Sequence, residues 1–176
     1  MEIKKTSTKI YLFILIVGVL FWLGGSIYRA IVAYTLFEPF SLVVKSEITY
    51  DILRQTLKLI GNINVYLLIS YPIVLIFFGL FVKSSKANLR NEGWLFMIMM
   101  ILILFMPIEI YLSYLDINYT FLVLFGNFDT NIALSFLIQR IAALGGLPVI
   151  GFLCYFTSIW FAIFQPLKRI KTYESK

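Results

Sequence analysis

Glu109 is the residue whose position points most directly to chemistry, because it lies within an apolar stretch of the chain. The uncharged run before it begins at Gly93. A helix that starts near Leu95 carries Glu109 about 21 Å along its axis, short of the far side of a hydrocarbon layer of about 30 Å. A charge at mid-membrane costs roughly 2.5–3.5 kcal/mol, and less toward the edge. We therefore expect the carboxylate to be paired, protonated or in contact with water.

Arg29 is the predicted partner of Glu109. It lies about 28 Å along the first apolar run, and its long side chain is able to reach back along a helix. Pro107, two residues before Glu109, loosens the helix nearby. Three interpretations are open: an Arg29–Glu109 ion pair that joins two helices, a role for Glu109 in the movement of ions or protons, and a Glu109 side chain that reaches the outer headgroups.

The residue types that are missing from the sequence exclude several classes of site. The chain has no histidine and a single cysteine, Cys154. Haem ligation by histidine pairs, histidine proton relays and disulfide exchange between paired thiols are therefore excluded. The sequence also lacks glycine-rich phosphate loops and the HExxH and GxSxG motifs. We predict no catalytic residue, no metal site and no cofactor, and we expect a protein that is not an enzyme.

Four apolar stretches form the elements that must position these residues. The chain has 176 residues, of which 61% are hydrophobic and 14% charged, a composition typical of membrane proteins. We predict that residues 1–176 form one all-α polytopic membrane domain with four transmembrane helices in two similar hairpins. The predicted spans are approximately 10–30, 61–82, 94–115 and 144–166.

The distribution of lysine and arginine predicts the orientation of these spans. Ten of the fifteen fall in the two ends of the chain and in the loop between the second and third spans. Basic segments of this kind stay on the cytoplasmic side. We expect cytoplasmic termini, segments 31–60 and 116–143 outside, and a plasma or inner membrane. The net charge of +6 is explained by these basic segments, which set the topology and lie next to the lipid bilayer. We therefore predict no nucleic-acid partner.

The two outer segments share a common plan. Each begins with a run rich in β-branched and aromatic residues, 33–45 and 117–128, and continues into a helical stretch, which in the first segment is 46–60. We expect the two runs to pair as a β-ribbon in a small outer cap. The helical stretches either lie in the outer interface or extend the second and fourth spans outward. The apolar character of the segments favours either a fold back onto the bilayer surface or a docking face for a partner. The candidate outer-interface residues are Glu38, Asp51, Arg54 and Arg140.

The two halves of the chain resemble each other. An offset of 84 residues aligns Gln55 with Gln139 and Tyr71 with Tyr155. A tandem repeat of 1–90 and 91–176 explains these matches. Convergence explains them equally, because two sequences built mostly from the same few apolar residue types match at many positions.

Small residues indicate where helices cross closely, because glycine lets two backbones approach. The candidate helix-packing residues are Gly24, Gly25, Gly145 and Gly146.

Two hypotheses for function follow. The first is a non-catalytic accessory or scaffolding subunit that binds another membrane protein through its spans or outer segments. The alternative is a small homo-oligomeric channel or transporter in which Glu109 and Arg29 line a polar path. Four spans with so few polar residues make a pore within one chain implausible, so the alternative requires self-association. A foreign partner that copurifies favours the first hypothesis, and a ring of identical chains favours the second.

Overall fold

The structure is a computed structural model that describes residues 5–126, 128–143 and 147–167, without the side chains of residues 147 and 148. Within these ranges the fold is helical, and no strand is present beyond a single antiparallel bridge between Phe37 and Val44. The helices are α1 Thr6–Tyr34, α2 Tyr50–Ser84, α3 Gly93–Leu124, α4 Thr130–Ala142 and α5 Leu147–Phe164. The first three are long and apolar enough to cross a membrane. The predicted all-α fold of the membrane type is confirmed.

The second helix begins earlier than the predicted span. The Thr49 side chain accepts a hydrogen bond from the backbone of Ile52 at 3.5 Å, and Asp51 in the first turn suits the positive end of the helix. From Tyr50 the helix continues through Gly61 to Ser84. From Tyr50 onward, the amphipathic stretch predicted over 46–60 therefore extends the second apolar helix, which is one of the two arrangements expected for it, and does not form a separate element.

The β-ribbon predicted between segments 33–45 and 117–128 is wrong for the residues that the structure describes. α3 continues to Leu124 because its last turns pack against α2. The Tyr119 hydroxyl donates to the Leu57 carbonyl at 2.7 Å, and Val123 lies against Gly61. Burial of one helix face thus overrides the β propensity of these residues. The first run instead forms a local hairpin, in which the Glu38 N–H donates to the Val43 carbonyl at 2.9 Å.

Three hydrophobic clusters follow one another along the bundle. The first joins the end of α1, the start of α2, the end of α3 and α4, with Leu57 and Ala133 at its centre. The second is an aromatic cluster that consists of Trp22, Leu23, Leu67, Tyr71, Val74, Phe105 and Tyr155. The third consists of Phe81, Trp94, Leu95 and Ile98. The polar site described below lies between the first and the second clusters.

One end of the molecule collects positive charge. The Thr8 and Ser84 hydroxyls are 2.7 Å apart, and the Gly93 N–H donates to the Leu167 carbonyl at 3.2 Å. These contacts bring the start of α1, the end of α2, the start of α3 and the end of α5 together. The described basic residues at this end are Lys5, Lys9, Lys83, Lys86 and Arg90.

The glycines predicted to pack helices differ from one another. A Cβ added at Gly25 would lie 2.8 Å from Cδ2 of Leu67, so α1 and α2 approach closely there. A Cβ at Gly24 would meet no atom of the described residues within 4 Å, so Gly24 does not bring α1 close to another described helix. The reason is geometric, because neighbouring helix positions point about 100° apart. Gly145 and Gly146 lie outside the described residues.

Candidate functional site

An ion cluster, which we define as Arg29, Asn64, Asp116 and Arg140, joins α1, α2, α3 and α4. Nη1 of Arg29 donates to Oδ2 of Asp116 at 2.6 Å and to Oδ1 of Asn64 at 2.8 Å. Nε of Arg140 donates to Oδ1 of Asp116 at 3.0 Å. Asp116 is thus the shared acceptor, and each of its two oxygens binds a different guanidinium group.

The ion cluster is buried within the bundle. Arg29 and Asp116 are each 6% exposed and Asn64 is 1% exposed, while the Arg140 side chain is 18% exposed. The two guanidinium groups and one carboxylate have a formal charge of +1. In such surroundings an ion that loses its partner is strongly disfavoured, so the members of the cluster hold one another in place. The short hydrogen bonds to Asp116 are of the charge-assisted kind.

The predicted Arg29–Glu109 ion pair is not formed in the structure, in which Asp116 takes the place of Glu109. Glu109 lies two turns earlier on α3, where its Oε1 accepts a hydrogen bond from the Tyr155 hydroxyl at 3.2 Å. Depth explains the difference. Arg29 is about 28 Å along the first apolar run, Asp116 about 31 Å beyond Leu95, and Glu109 only about 21 Å beyond it.

Asp116 and Asn64 are the members of the ion cluster that sequence reasoning missed. The third span was expected to end near residue 115, so Asp116 was assigned to an outer segment. Asn64 lies inside an uncharged run and carries no charge to mark it. The signal that identifies both is their position along the helices: Asn64 and Asp116 lie at about the same distance from the basic end as Arg29 does. Polar residues at one level on neighbouring helices are able to contact one another.

Two cavities adjoin the ion cluster. The deep cavity, of about 30 Å³, lies between Arg29, Tyr71, Glu109 and Tyr155, and is large enough for a water molecule. The lateral crevice, of about 130 Å³, lies between α1, α4 and α5. Arg29, Asp116 and Arg140 line both spaces. The Tyr71 hydroxyl is buried and has no hydrogen-bond partner within the described part of the chain.

The ion cluster is suited to anions rather than to metal ions. Its donors are guanidinium groups, and both oxygens of Asp116 are engaged by them. Among the described residues, no three cysteine, histidine, aspartate or glutamate side chains come together in a way that would hold a metal ion. The groups that remain for a ligand are N–H and O–H donors, which bind anionic oxygen.

The four predicted outer-interface residues are not brought together. Glu38 and Asp51 are exposed. Arg54 donates to the Phe128 carbonyl at 3.2 Å, and its guanidinium lies 4.6 Å from the centroid of the Phe128 ring, so it fixes the segment before α4. Arg140 belongs to the ion cluster.

The fold and the ion cluster define the class of this protein as an all-α protein of the membrane type with charged groups buried between its helices. Comparisons of the chain with protein-family models, with curated proteins and with solved structures find no match.

Proposed function

We propose that this chain is a non-catalytic accessory or scaffolding subunit that binds another membrane protein through the end of the molecule opposite its basic residues. The observation that carries the proposal is Phe40, a fully exposed phenylalanine in a strained backbone conformation. Val43 and Phe125, which are also exposed, extend the apolar surface at this end. Exposed apolar surface beyond the lipid-facing part of a helix bundle is typical of a contact site.

Phe40 lies at the tip of the hairpin between α1 and α2. The Ser41 N–H donates to the Glu38 carbonyl at 3.1 Å, and within this turn Phe40 has a φ of 59°. Positive φ at the third position of a turn favours glycine, and a bulky residue there costs on the order of 1–3 kcal/mol. Because the ring is exposed, burial within this chain does not offset that cost. Contact of the Phe40 ring with a partner would offset that cost.

The proposed arrangement in the membrane has four spans, with α5 as the fourth. Its 18 residues extend about 27 Å, close to the hydrocarbon thickness of about 30 Å. The basic end then faces the cytoplasm, with both termini, in a plasma or inner membrane. The hairpin that carries Phe40, together with α4 and the first hydrophobic cluster, forms an outer cap under this proposal.

Photo-crosslinking in intact cells tests the docking proposal. Benzoylphenylalanine replaces Phe40 in one variant and, as a matched control, Phe21 in another, because Phe21 is also exposed but lies within the apolar stretch of α1. We expect position 40 to form one discrete protein adduct and position 21 to form lipid adducts. Lipid adducts alone at both positions would contradict docking and would favour a cap that lies on the bilayer.

A second variant separates docking from stability. Phe40→Gly relieves the positive φ, so we expect unchanged or higher thermal stability of the purified chain. In the same background, a crosslinker at Val43 should lose its protein adduct. Retention of that adduct would show that Phe40 is not part of the contact.

The alternative, a homo-oligomeric channel or transporter, has one observation in its favour, since the deep cavity places Glu109 and Arg29 beside a shared polar space. The aromatic cluster of Trp22, Tyr71, Phe105 and Tyr155 lies next to this cavity on the side of the basic end. A polar path would therefore have to run between copies of the chain. A homogeneous ring in mild detergent, without the crosslinked partner, would favour this alternative.

A further inference from the structure

The ion cluster contains more hydrogen-bond donors than it uses. Arg29 makes its two hydrogen bonds through Nη1, and Arg140 makes its one through Nε. A guanidinium group has five N–H donors. Nε and Nη2 of Arg29 and both Nη atoms of Arg140 therefore have no partner in the described part of the chain. Together with the formal charge of +1, these donors favour a ligand rich in anionic oxygen on the side of the lateral crevice, whose lining, unlike that of the deep cavity, does not include Glu109.

The Tyr71 hydroxyl is an unsatisfied donor in the deep cavity, which adjoins the lateral crevice through Arg29, Asp116 and Arg140. Tyr71 is 6% exposed, lines the deep cavity beside Arg29, and leaves its hydroxyl unpartnered. A buried hydroxyl without a hydrogen bond is unfavourable. An oxygen atom of a ligand or of its hydration water in the deep cavity would satisfy it.

The lateral crevice is apolar along its walls. Its lining includes Ala30 and Tyr34 on α1, Phe136 on α4, Val149 and Phe152 on α5, and the charged residues Arg29 and Arg140. Tyr34 and Val149 are more than half exposed, so the crevice opens sideways at this rim. A space lined by both cationic and apolar side chains fits an amphiphile better than it fits a free ion.

We infer that the lateral crevice binds the phosphate group of an anionic phospholipid, with the phosphate oxygens on Arg140 and Arg29 and an acyl chain along the walls formed by α1 and α5. The inference depends on the membrane arrangement proposed above, in which Arg29 lies about 28 Å from the start of the first apolar run and so at the level of the outer headgroups. It does not depend on the docking of a partner at Phe40.

Native mass spectrometry of the purified full-length chain in mild detergent tests the inference. Phosphatidylglycerol is titrated against phosphatidylcholine, which has the same phosphate but no net charge. We expect one phosphatidylglycerol per chain, bound about tenfold more tightly than phosphatidylcholine, because the trimethylammonium group of phosphatidylcholine places a positive charge close to Arg29 and Arg140 and is repelled by them. Equal binding of the two lipids would overturn the inference.

Three variants locate the site. Arg140→Gln removes the surplus charge and leaves the Arg29–Asp116 pair intact, so phosphatidylglycerol binding should weaken about tenfold. Lys58→Gln removes an exposed charge elsewhere on α2 and should not change the binding. Ala30→Phe fills the lateral crevice without altering any charge and should abolish one-to-one binding, which keeps the inference testable if Arg140→Gln does not fold. Normal binding by both Arg140→Gln and Ala30→Phe would overturn the inference.

Inorganic phosphate separates the two sources of a phosphate group. Failure of millimolar inorganic phosphate to displace phosphatidylglycerol supports a lipid whose acyl chain contributes to binding. Displacement supports a phosphate site but overturns the assignment of the acyl chain to the crevice. Because the purified chain contains no partner, a negative result here leaves the crosslinking at Phe40 unaffected, and a negative crosslinking result leaves this test unaffected.

Discussion

Asp116 is the residue on which the ion cluster depends, because both guanidinium groups bind it. Asp116→Asn keeps the shape of the side chain but removes its charge, which leaves the buried Arg29 and the partly buried Arg140 as two like-charged groups without a counter-ion in the cluster. Loss of one partner from a buried ion pair destabilises a protein by about 3–5 kcal/mol. We expect a loss at the lower end of that range, measured as the free energy of unfolding in mixed detergent and SDS micelles.

Glu109→Gln is the matched control for this prediction. The amide oxygen of glutamine still accepts the hydrogen bond from Tyr155, and no cation within 4 Å loses a partner among the described residues. We therefore expect a change below about 1 kcal/mol. A larger loss of unfolding free energy in Glu109→Gln than in Asp116→Asn would contradict the structure. It would favour the Arg29–Glu109 ion pair that the sequence predicted.

The close crossing of α1 and α2 is a property of these two elements rather than of the site. Gly25→Leu introduces a side chain where even a Cβ lies 2.8 Å from Leu67, so the helices must separate or repack, at about 1–3 kcal/mol. Gly24→Leu, one position earlier, points into open space and should be neutral or slightly stabilising, because glycine is a poor helix former. Thermal unfolding of the two variants measures the difference, and equal melting temperatures would show that α1 does not pack on α2 through Gly25.

The sequence predicted the elements better than it predicted their ends. The three long apolar helices follow from composition and length alone, because the hydrocarbon layer requires them. The extension of α3 to Leu124 does not, since local β propensity at residues 117–124 competes with helix packing that depends on Leu57 and Gly61, some sixty residues away. The same error displaced Asp116 from the third helix and so hid the partner of Arg29. Whether the two halves are a tandem repeat stays a prediction.

At the scale of the whole molecule, the ion cluster divides the bundle into two regions. On one side the first hydrophobic cluster includes α4 and the hairpin near Phe37. On the other side the aromatic cluster and the third hydrophobic cluster continue toward the basic end. The helices α1, α2 and α3 are about 43–52 Å long by their residue counts, which exceeds the hydrocarbon thickness of about 30 Å. In the proposed arrangement, with the basic end at the cytoplasmic face, the surplus length lies mainly on the side of Phe37 and leaves that end available for contacts outside the bilayer.

The four-span arrangement predicts which ends of the helices are accessible from outside the cell. In a Cys154→Ala background, single cysteines at Glu38, Arg90 and Pro166 sample the hairpin, the loop before α3 and the end of α5, and all three positions are exposed. A membrane-impermeant maleimide should label Glu38→Cys in intact cells, but Arg90→Cys and Pro166→Cys only after permeabilisation, because basic segments are retained in the cytoplasm. Labelling of Pro166→Cys in intact cells would show that α5 does not cross the membrane. Labelling of Arg90→Cys but not Glu38→Cys would instead reverse the orientation, and with it the assignment of Phe40 to an outer docking face.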